Sequence, residues 1–281
     1  MAYILKKILS EVLTHDEITQ VCSAFDMIGS IVIVKIPDPL KLKKQIIGET
    51  ILHCIKPAKS VFAQTSAVQG DYRIRSLEFI AGEYNTITEY REHGCKFQVD
   101  IKNTYFSPRL STERLRIAKL TSENEVIVNM FAGVGTFSII IAKMNKTCKI
   151  YNIDCNPFAN EMSIINAKLN RVQNRVLPIC GNAKDVIHDQ IRGQCDRVLM
   201  PLPERSSEFV DSAVLALKDR RGVIHFFVHI KANSKNTAIE KADSDIQTVF
   251  NKYRYEILHT RIVREVGPRV YQIVSDICIS P

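Results

Sequence analysis

The 281-residue sequence lacks any apolar run near the roughly 18 residues of a membrane-spanning helix, so a helical membrane protein is not expected. It has eight cysteines but no C-x-x-C pair, which removes the usual zinc spacing and leaves no metal site to expect. Several cysteines lie in apolar strand-like runs, as in "VLPICG" and "SDICIS". They read as reduced, buried residues of a cytoplasmic protein rather than a disulfide framework. There is no internal repeat and no low-complexity tract, so neither a solenoid nor a long flexible linker is indicated. The opening "MAYILKKILSEVLTHDE" has early acids and no small-residue cleavage site, and reads as an amphipathic helix rather than a secretion signal.

What is present describes a globular chain with one large or two modest domains: 46% hydrophobic and 24% charged residues. The net charge is +8 and uneven. Residues 1–105 hold 13 basic and 12 acidic side chains, whereas residues 106–281 hold 25 and 18. A basic surface favours polyanions such as nucleic acid, although the charge alone does not specify one.

Two kinds of pattern divide the chain. Residues 1–105 read as a small α+β domain, with helices near Tyr3–Leu13, Asp16–Phe25 and Leu40–Ile55 and a strand at Ser30–Ile36. Strands are also expected in "YRIRSLEFIAG", "TITEYRE" and "CKFQVDI". From about Thr121 strands and helices alternate. "EVIVNMF", "KIYNID", "RVLPIC", "DRVLM" and "GVIHFFVHI" predict five parallel strands. "YEILHTRIVREV" and "RVYQIVSDICIS", separated by Gly267–Pro268, predict a terminal antiparallel hairpin. The expected fold is α/β: a doubly wound, Rossmann-like sheet over 106–281 with ligands at the carboxyl ends of its strands.

The stretch "VIVNMFAGVGTFS" places Gly133 and Gly135 between a strand and a helix. It lacks the Lys-Ser/Thr of a nucleotide-triphosphate loop, and Ser138 stands where a dinucleotide loop carries its third small residue. Asp154 ends the next strand, where a carboxylate can accept hydrogen bonds from both ribose hydroxyls. With no pyrophosphate to serve, the remaining common nucleoside ligand is S-adenosylmethionine. Phe131, Ala132, Gly133, Gly135 and Asp154 are its expected contacts. Asn182 is placed to reach an adenine edge, with Ile153 and Ala183 flanking the ring. The terminal hairpin suits a methyltransferase sheet better than a dehydrogenase sheet. Asp154 can also be simply a surface acid at a strand end.

Ahead of this domain, in "NTYFSPRLSTERLRIAKL", Pro108 can start a helix carrying Arg109 and Glu113 on its first turns. Their i,i+4 spacing fits an ordinary ion pair. It also fits a carboxylate that takes a proton beside an arginine that holds a developing oxyanion.

"YFSPRLSTER", "MFAGVGTFSI", "IDCNPFA", "INAKLNRVQNRVLPICGNAKDV" and "DRVLMPLPERSSEFVD" together resemble the archaeal and eukaryotic tRNA (guanine-37-N1)-methyltransferases. The likeness runs from "AFDMIGSIVIVKIP" to "VGPRVYQIVSDI". It implies a class I methyltransferase sheet and methyl transfer from S-adenosylmethionine to N1 of a guanine beside the tRNA anticodon. It further implies binding of the anticodon arm, by a protein expected to act as a cytoplasmic monomer. On this resemblance Glu113 is the general base, and Arg109 and Arg73, with Arg75 as runner-up, hold O6 and the backbone. Arg73 and Arg75 also fit an exposed strand face.

Two departures accompany the likeness. The small α+β domain begins almost at once, so the family's usual outer-corner-binding module is not expected. Pro201, in "MPLPE", stands where the family carries an asparagine, and offers the target base neither a side-chain amide nor an N–H. Two other readings stay open. One is the sister family, the wybutosine-pathway aminocarboxypropyl transferases, which use the same cofactor. The other is a tRNA-binding protein with a vestigial cofactor site.

Overall fold

A computed structural model describes residues 2–281, which fall into two compact units divided between Pro108 and Arg109. In the first unit, α1 (Ala2–Leu9) and α2 (His15–Gln20) precede β1 (Phe25–Ile28) and β2 (Ile31–Val34). Then come α3 (Lys44–Cys54), β3 (Ser60–Gln64), β4 (Leu77–Gly82), β5 (Ile87–Glu92) and β6 (Cys95–Asp100). A capping box starts α2: Thr14 accepts from the Glu17 amide, and the Glu17 carboxylate accepts from the Thr14 amide. Four strands form one sheet in the order β1-β2-β3-β4. Its β2–β3 pair is parallel, bridged by α3, whose Ile47 and Ile51 bury against Val32, Val34 and Val61. β5 and β6 form a separate antiparallel hairpin turned by His93 and Gly94, both at positive φ.

Several expected boundaries move. The first helix ends at Leu9 and the second at Gln20. β1 and β3 are additional strands; "FDMI" is half-exposed and "SVFAQ" is buried almost throughout, so neither shows the alternation that marks a strand. The strand expected from Tyr72 begins only at Leu77. Residues 70–74 turn instead, with Arg73 donating its amide to the Gly70 carbonyl at 3.0 Å and lying at φ 54°.

The second unit opens with α4 (Ser111–Leu120). It continues through β7 (Val126–Asn129), α5 (Thr136–Met144), β8 (Lys149–Asp154), α6 (Pro157–Leu169) and β9 (Val176–Cys180). After these come α7 (Ala183–Val186), β10 (Arg197–Met200), α8 (Val210–Ala216), β11 (Gly222–Lys231), α9 (Lys235–Val249), β12 (Arg254–Gly267) and β13 (Val270–Ser280). The seven strands lie in the order β12-β13-β11-β10-β7-β8-β9. β7 to β11 are parallel, and β13 enters antiparallel between β11 and β12. This is the doubly wound sheet with a terminal hairpin that the strand rhythm predicts. The hairpin turn is Pro268–Arg269 rather than Gly267–Pro268, because β12 continues through Gly267. The order of strand connection reverses between β7 and β10, a switch point at which the carboxyl ends of β7, β8 and β10 face one crevice. No described helix is long and apolar enough to cross a membrane.

Candidate active site

The loop after β7 is held from both sides. The Met130 amide donates to the Leu199 carbonyl on β10 at 3.0 Å, and the Ala132 amide to the Ile153 carbonyl on β8 at 2.9 Å. Gly133 and Gly135 lie at φ 54° and 88°, a region closed to most side chains. A Cβ at Gly135 would also stand 2.7 Å from the Ser163 hydroxyl of α6, so this glycine permits both the turn and the close approach of two helices. Beneath the loop is a buried polar chain. Asn129 donates to Ser138 at 3.2 Å, Ser138 to Asn152 at 2.5 Å and Asn152 to Ser163 at 2.7 Å, while Asn166 donates to the Val134 carbonyl at 3.0 Å. Ser138, which breaks the dinucleotide pattern, is a member of this chain. The Asn129 Oδ1 atom is buried with no hydrogen-bond partner.

Asp154 closes the loop. Its Oδ2 accepts from the Gly133 amide at 2.6 Å and its Oδ1 from the Asn156 amide at 2.9 Å. The side chain is half-buried at the carboxyl end of β8. Asn182 caps α7, accepting from the Lys184 amide at 2.9 Å, which leaves its side-chain NH₂ to meet a ligand. Ala183 is buried, and Ile153 is sealed inside the core with Met130 and Val186, so Ile153 does not flank a ring. Phe131 is half-buried and packs edge-on against Phe209 at 4.9 Å. Pro201 sits at the centre of a three-residue turn, in which the Leu202 amide reaches the Met200 carbonyl at 2.9 Å. The Ser206 hydroxyl fastens that turn through the Met200 and Leu202 carbonyls, at 3.0 and 2.8 Å.

Glu113, on the first turn of α4, is only 1% exposed. Its partner is not the exposed Arg109 at i−4. Arg116, at i+3, grips both carboxylate oxygens at 2.7–3.1 Å, and Arg261 from β12 meets Oε2 at 3.0 Å. The other edge of the Arg116 guanidinium grips Asp276 of β13 at 2.6 and 2.9 Å. Asp276 accepts from Nδ1 of His225, its cross-strand neighbour on β11, at 2.6 Å. Nε2 of His225 faces Arg197 at 2.8 Å. A guanidinium has no acceptor, so Nε2 accepts and the proton resides on Nδ1. Arg197 ends the row on Glu125 at 2.6 and 2.8 Å. The row contains three carboxylates, three guanidiniums and a neutral imidazole, so its charges balance.

Charge and burial separate the two central carboxylates. Burial pushes the Glu113 carboxyl up, and this outweighs the hydrogen bonds and charge of Arg116 and the charge of Arg261. Burial also opposes ionisation of Asp276, but hydrogen bonds from Arg116 and His225 overcome it and hold the group well below the usual carboxylate range. His225 is fully enclosed, and burial holds it below its ordinary value.

In the first unit, the Arg73 guanidinium lies 4.1 Å from the centre of the Tyr105 ring. Arg75 pairs with Asp26 at 3.2 Å and reaches Gln64 at 3.3 Å, so its charge serves the unit's own structure. All eight cysteines are free, but four are exposed; Cys180 lies at the open end of edge strand β9 instead of in the core. Arg116, Arg261, Asp276 and His225 are the site residues that sequence reasoning missed. A signal exists for two of them: His225 and Asp276 each interrupt an apolar strand run, "VIHFFVHI" and "YQIVSDICIS".

Comparisons with known proteins agree with this geometry. A family profile described as the TRM5/TYW2 methyltransferase domain matches residues 88–258, and one described as the TYW2 N-terminal domain matches residues 5–86. The Trm5b tRNA (guanine(37)-N(1))-methyltransferase of Pyrococcus abyssi is 38% identical over 92% of this chain and 75% of its own length. The tRNA 4-demethylwyosine(37)-methyltransferase Taw21 of Saccharolobus solfataricus is 35% identical over 90% of this chain and 92% of its own length. A structure of archaeal Trm5 with tRNALeu superposes with a TM-score of 0.86 at 36% identity, covering 98% of this chain and 78% of that one. Methanocaldococcus jannaschii Trm5 in complex with adenosine gives 0.81 at 35%, covering 99% and 78%. Profile, relatives and fold coincide over most of the sequence, and on that basis the chain belongs to the TRM5/TYW2 methyltransferase family.

Proposed function

We propose that this protein methylates N1 of guanine-37 in tRNA, with S-adenosylmethionine as the methyl donor. The carrying observation is a carboxylate on α4, the first helix of the second unit: Glu113, whose burial raises its proton affinity while two arginines hold it in place. Guanine N1 bears a proton and becomes nucleophilic only when that proton leaves. A carboxylate raised toward the working pH is suited to take it.

The loop fits the cofactor. Gly133 and Gly135 open the backbone to a ligand, Asp154 sets a carboxylate at the end of β8 for ribose hydroxyls, and the unpartnered Asn129 oxygen leaves one buried acceptor beneath the loop. Phe131, Ala132, Asn182, Ala183 and Pro201 complete the proposed binding set. S-adenosylmethionine, when bound, supplies a methyl group activated by a sulfonium. Glu113 accepts the N1 proton. Arg73, whose guanidinium lies over the Tyr105 ring and whose left-handed backbone costs a non-glycine residue on the order of 1 kcal/mol, is assigned to guanine O6. Arg109, exposed at the start of the second unit, is assigned to the RNA backbone. In this division of labour, residues 1–105 read the target base and residues 106–281 hold the cofactor. The further assignments are the anticodon arm as the RNA partner, a monomeric state and a cytoplasmic location.

Mass mapping of a tRNA transcript with guanine at position 37, after incubation with the cofactor, tests the proposal. One added methyl on that base is expected. Transfer of the aminocarboxypropyl group would overturn it.

A second reading is methylation of 4-demethylwyosine at the same position. Pro201 favours it, because the extra ring of that base fills the guanine edge that an asparagine amide would read. The near-complete coverage of the Taw21 relative points the same way. Offering both bases in parallel separates the two readings.

A further inference from the structure

We propose that Asp276 is a positioning residue for the methyl-transfer reaction, acting on Glu113 through Arg116. The inference rests on the reading of Glu113 as the base. It begins from the shape of one guanidinium. Arg116 presents one edge to Glu113 and the other to Asp276, at 2.6–3.1 Å throughout. A planar fork held at both edges cannot rotate about either bond. The orientation of Glu113 is therefore set by a residue 163 positions away, on the last strand of the sheet.

Asp276 is itself fixed. The Nδ1–H of His225 reaches its Oδ1, and Arg197 selects that tautomer from the far side of the ring. Arg197 is anchored by Glu125 and by the Leu120 carbonyl at 2.9 Å. Leu120 is the last residue of α4, so the row closes at both ends on the helix that carries Glu113. The charged and titratable groups around Glu113 are Arg116 on its own helix, Arg261 on β12, Asp276 on β13 and His225 on β11.

The anion at 276 has two effects. It shares the charge of Arg116, which would otherwise fall entirely on Glu113 and make that carboxylate a poorer base. It also fixes the plane of the guanidinium that meets both Glu113 oxygens. Arg261, on the edge strand and 31% exposed, is then the one clamp whose withdrawal frees a lone pair on Oε2.

The experiment is single-turnover methylation of a guanine-37 transcript across pH. It uses Asp276→Asn, Glu113→Gln and the double variant, with cofactor binding and thermal melting as controls for folding. Asp276→Asn is expected to slow transfer about tenfold or more. It should move the acid limb of the rate profile to lower pH, because Glu113 loses a neighbouring negative charge. Cofactor affinity is expected to stay the same. In the Glu113→Gln background the same change is expected to add no further loss. Full rate and an unmoved profile in Asp276→Asn would overturn the proposal, as would equal losses in both backgrounds. If Asp276→Asn does not fold, Arg116→Lys carries the test: it keeps the charge but cannot bridge two carboxylates, and the same loss and the same non-additivity are expected. If Glu113→Gln alone reacts at full rate, the reading of the base fails and the proposal falls with it. If Glu113→Gln is slow and Asp276→Asn is not, only the coupling fails.

Discussion

Glu113 has two oxygens and three arginine N–H groups already aimed at them, yet its burial still favours the protonated form. That balance gives the first prediction. Glu113→Gln keeps the shape but cannot take a proton, and single-turnover methylation is expected to fall by roughly 10²–10⁴ with cofactor binding retained. The pH dependence has a definite sign. Only the carboxylate can act, and its folded value lies above 4.5, so the rate drops as pH falls through that raised value. A flat acid profile would identify a different proton acceptor. Asp154 yields a second prediction. Its oxygens serve the Gly133 and Asn156 amides as well as the proposed ribose. Asp154→Ala should weaken S-adenosylmethionine binding by about 1.5–3 kcal/mol, the range for hydrogen bonds to a charged group. Unchanged affinity by calorimetry would confine Asp154 to holding the loop.

Among the elements, the turn after β10 answers the question raised by Pro201. Proline's fixed φ suits the centre of an inverse γ-turn, and the turn is fastened by Ser206 from outside. The residue therefore sets the path of "MPLPE" by its backbone. Pro201→Asn is expected to fold, to melt at a somewhat lower temperature, and to change kcat by less than about tenfold. A large gain in rate on guanine-37 would show that the natural turn impairs reading of that base. α4 makes a related point. The sequence sets Arg109 and Glu113 at i,i+4, but Arg109 lies exposed in the short turn Pro108–Leu110 ahead of α4, whereas Glu113 is buried on α4 and pairs with Arg116. Spacing names the candidates on a helix; which of them meet depends on what the helix packs against.

For the whole molecule, the buried charged row links stability to pH. His225 is held below its ordinary value of 6.5, so the unfolded chain takes up its proton first. Its contribution to stability is full above 6.5 and is lost as pH falls below it. Asp276 behaves alike at lower pH: its contribution is present above 3.8 and is lost as pH falls toward its depressed folded value. Glu113 has the opposite sign, contributing below 4.5 and losing that contribution as pH rises through its folded value. Melting temperature is therefore expected to fall in two stages on acidification, the first beginning near 6.5. His225→Gln, which can still donate to Asp276 but does not titrate, should remove the first stage. A single transition near the ordinary carboxylate range in the natural protein would rule out His225 as the early group.

The local chemistry of this protein is written in consecutive residues. Two glycines between a strand and a helix, an acid at the end of the next strand and a strand–helix rhythm are short-range patterns. They were enough to specify the sheet, the ligand loop and Glu113 as a candidate base, because backbone freedom and periodicity act over a few residues. The setting of that base was not legible. Arg261 meets Glu113 directly, and Asp276 and His225 stand behind Arg116, on three strands that the chain forms more than 100 residues later. Their roles exist only once β13 has inserted between β11 and β12, which makes His225 and Asp276 cross-strand neighbours. Arg73 illustrates the same limit. Its sequence reads as a strand, but a left-handed turn and a tyrosine 32 positions on decide where its charge is held. Ionisable groups in a low-dielectric interior must find partners wherever the fold supplies them, so the partners are set by tertiary packing and not by proximity along the chain.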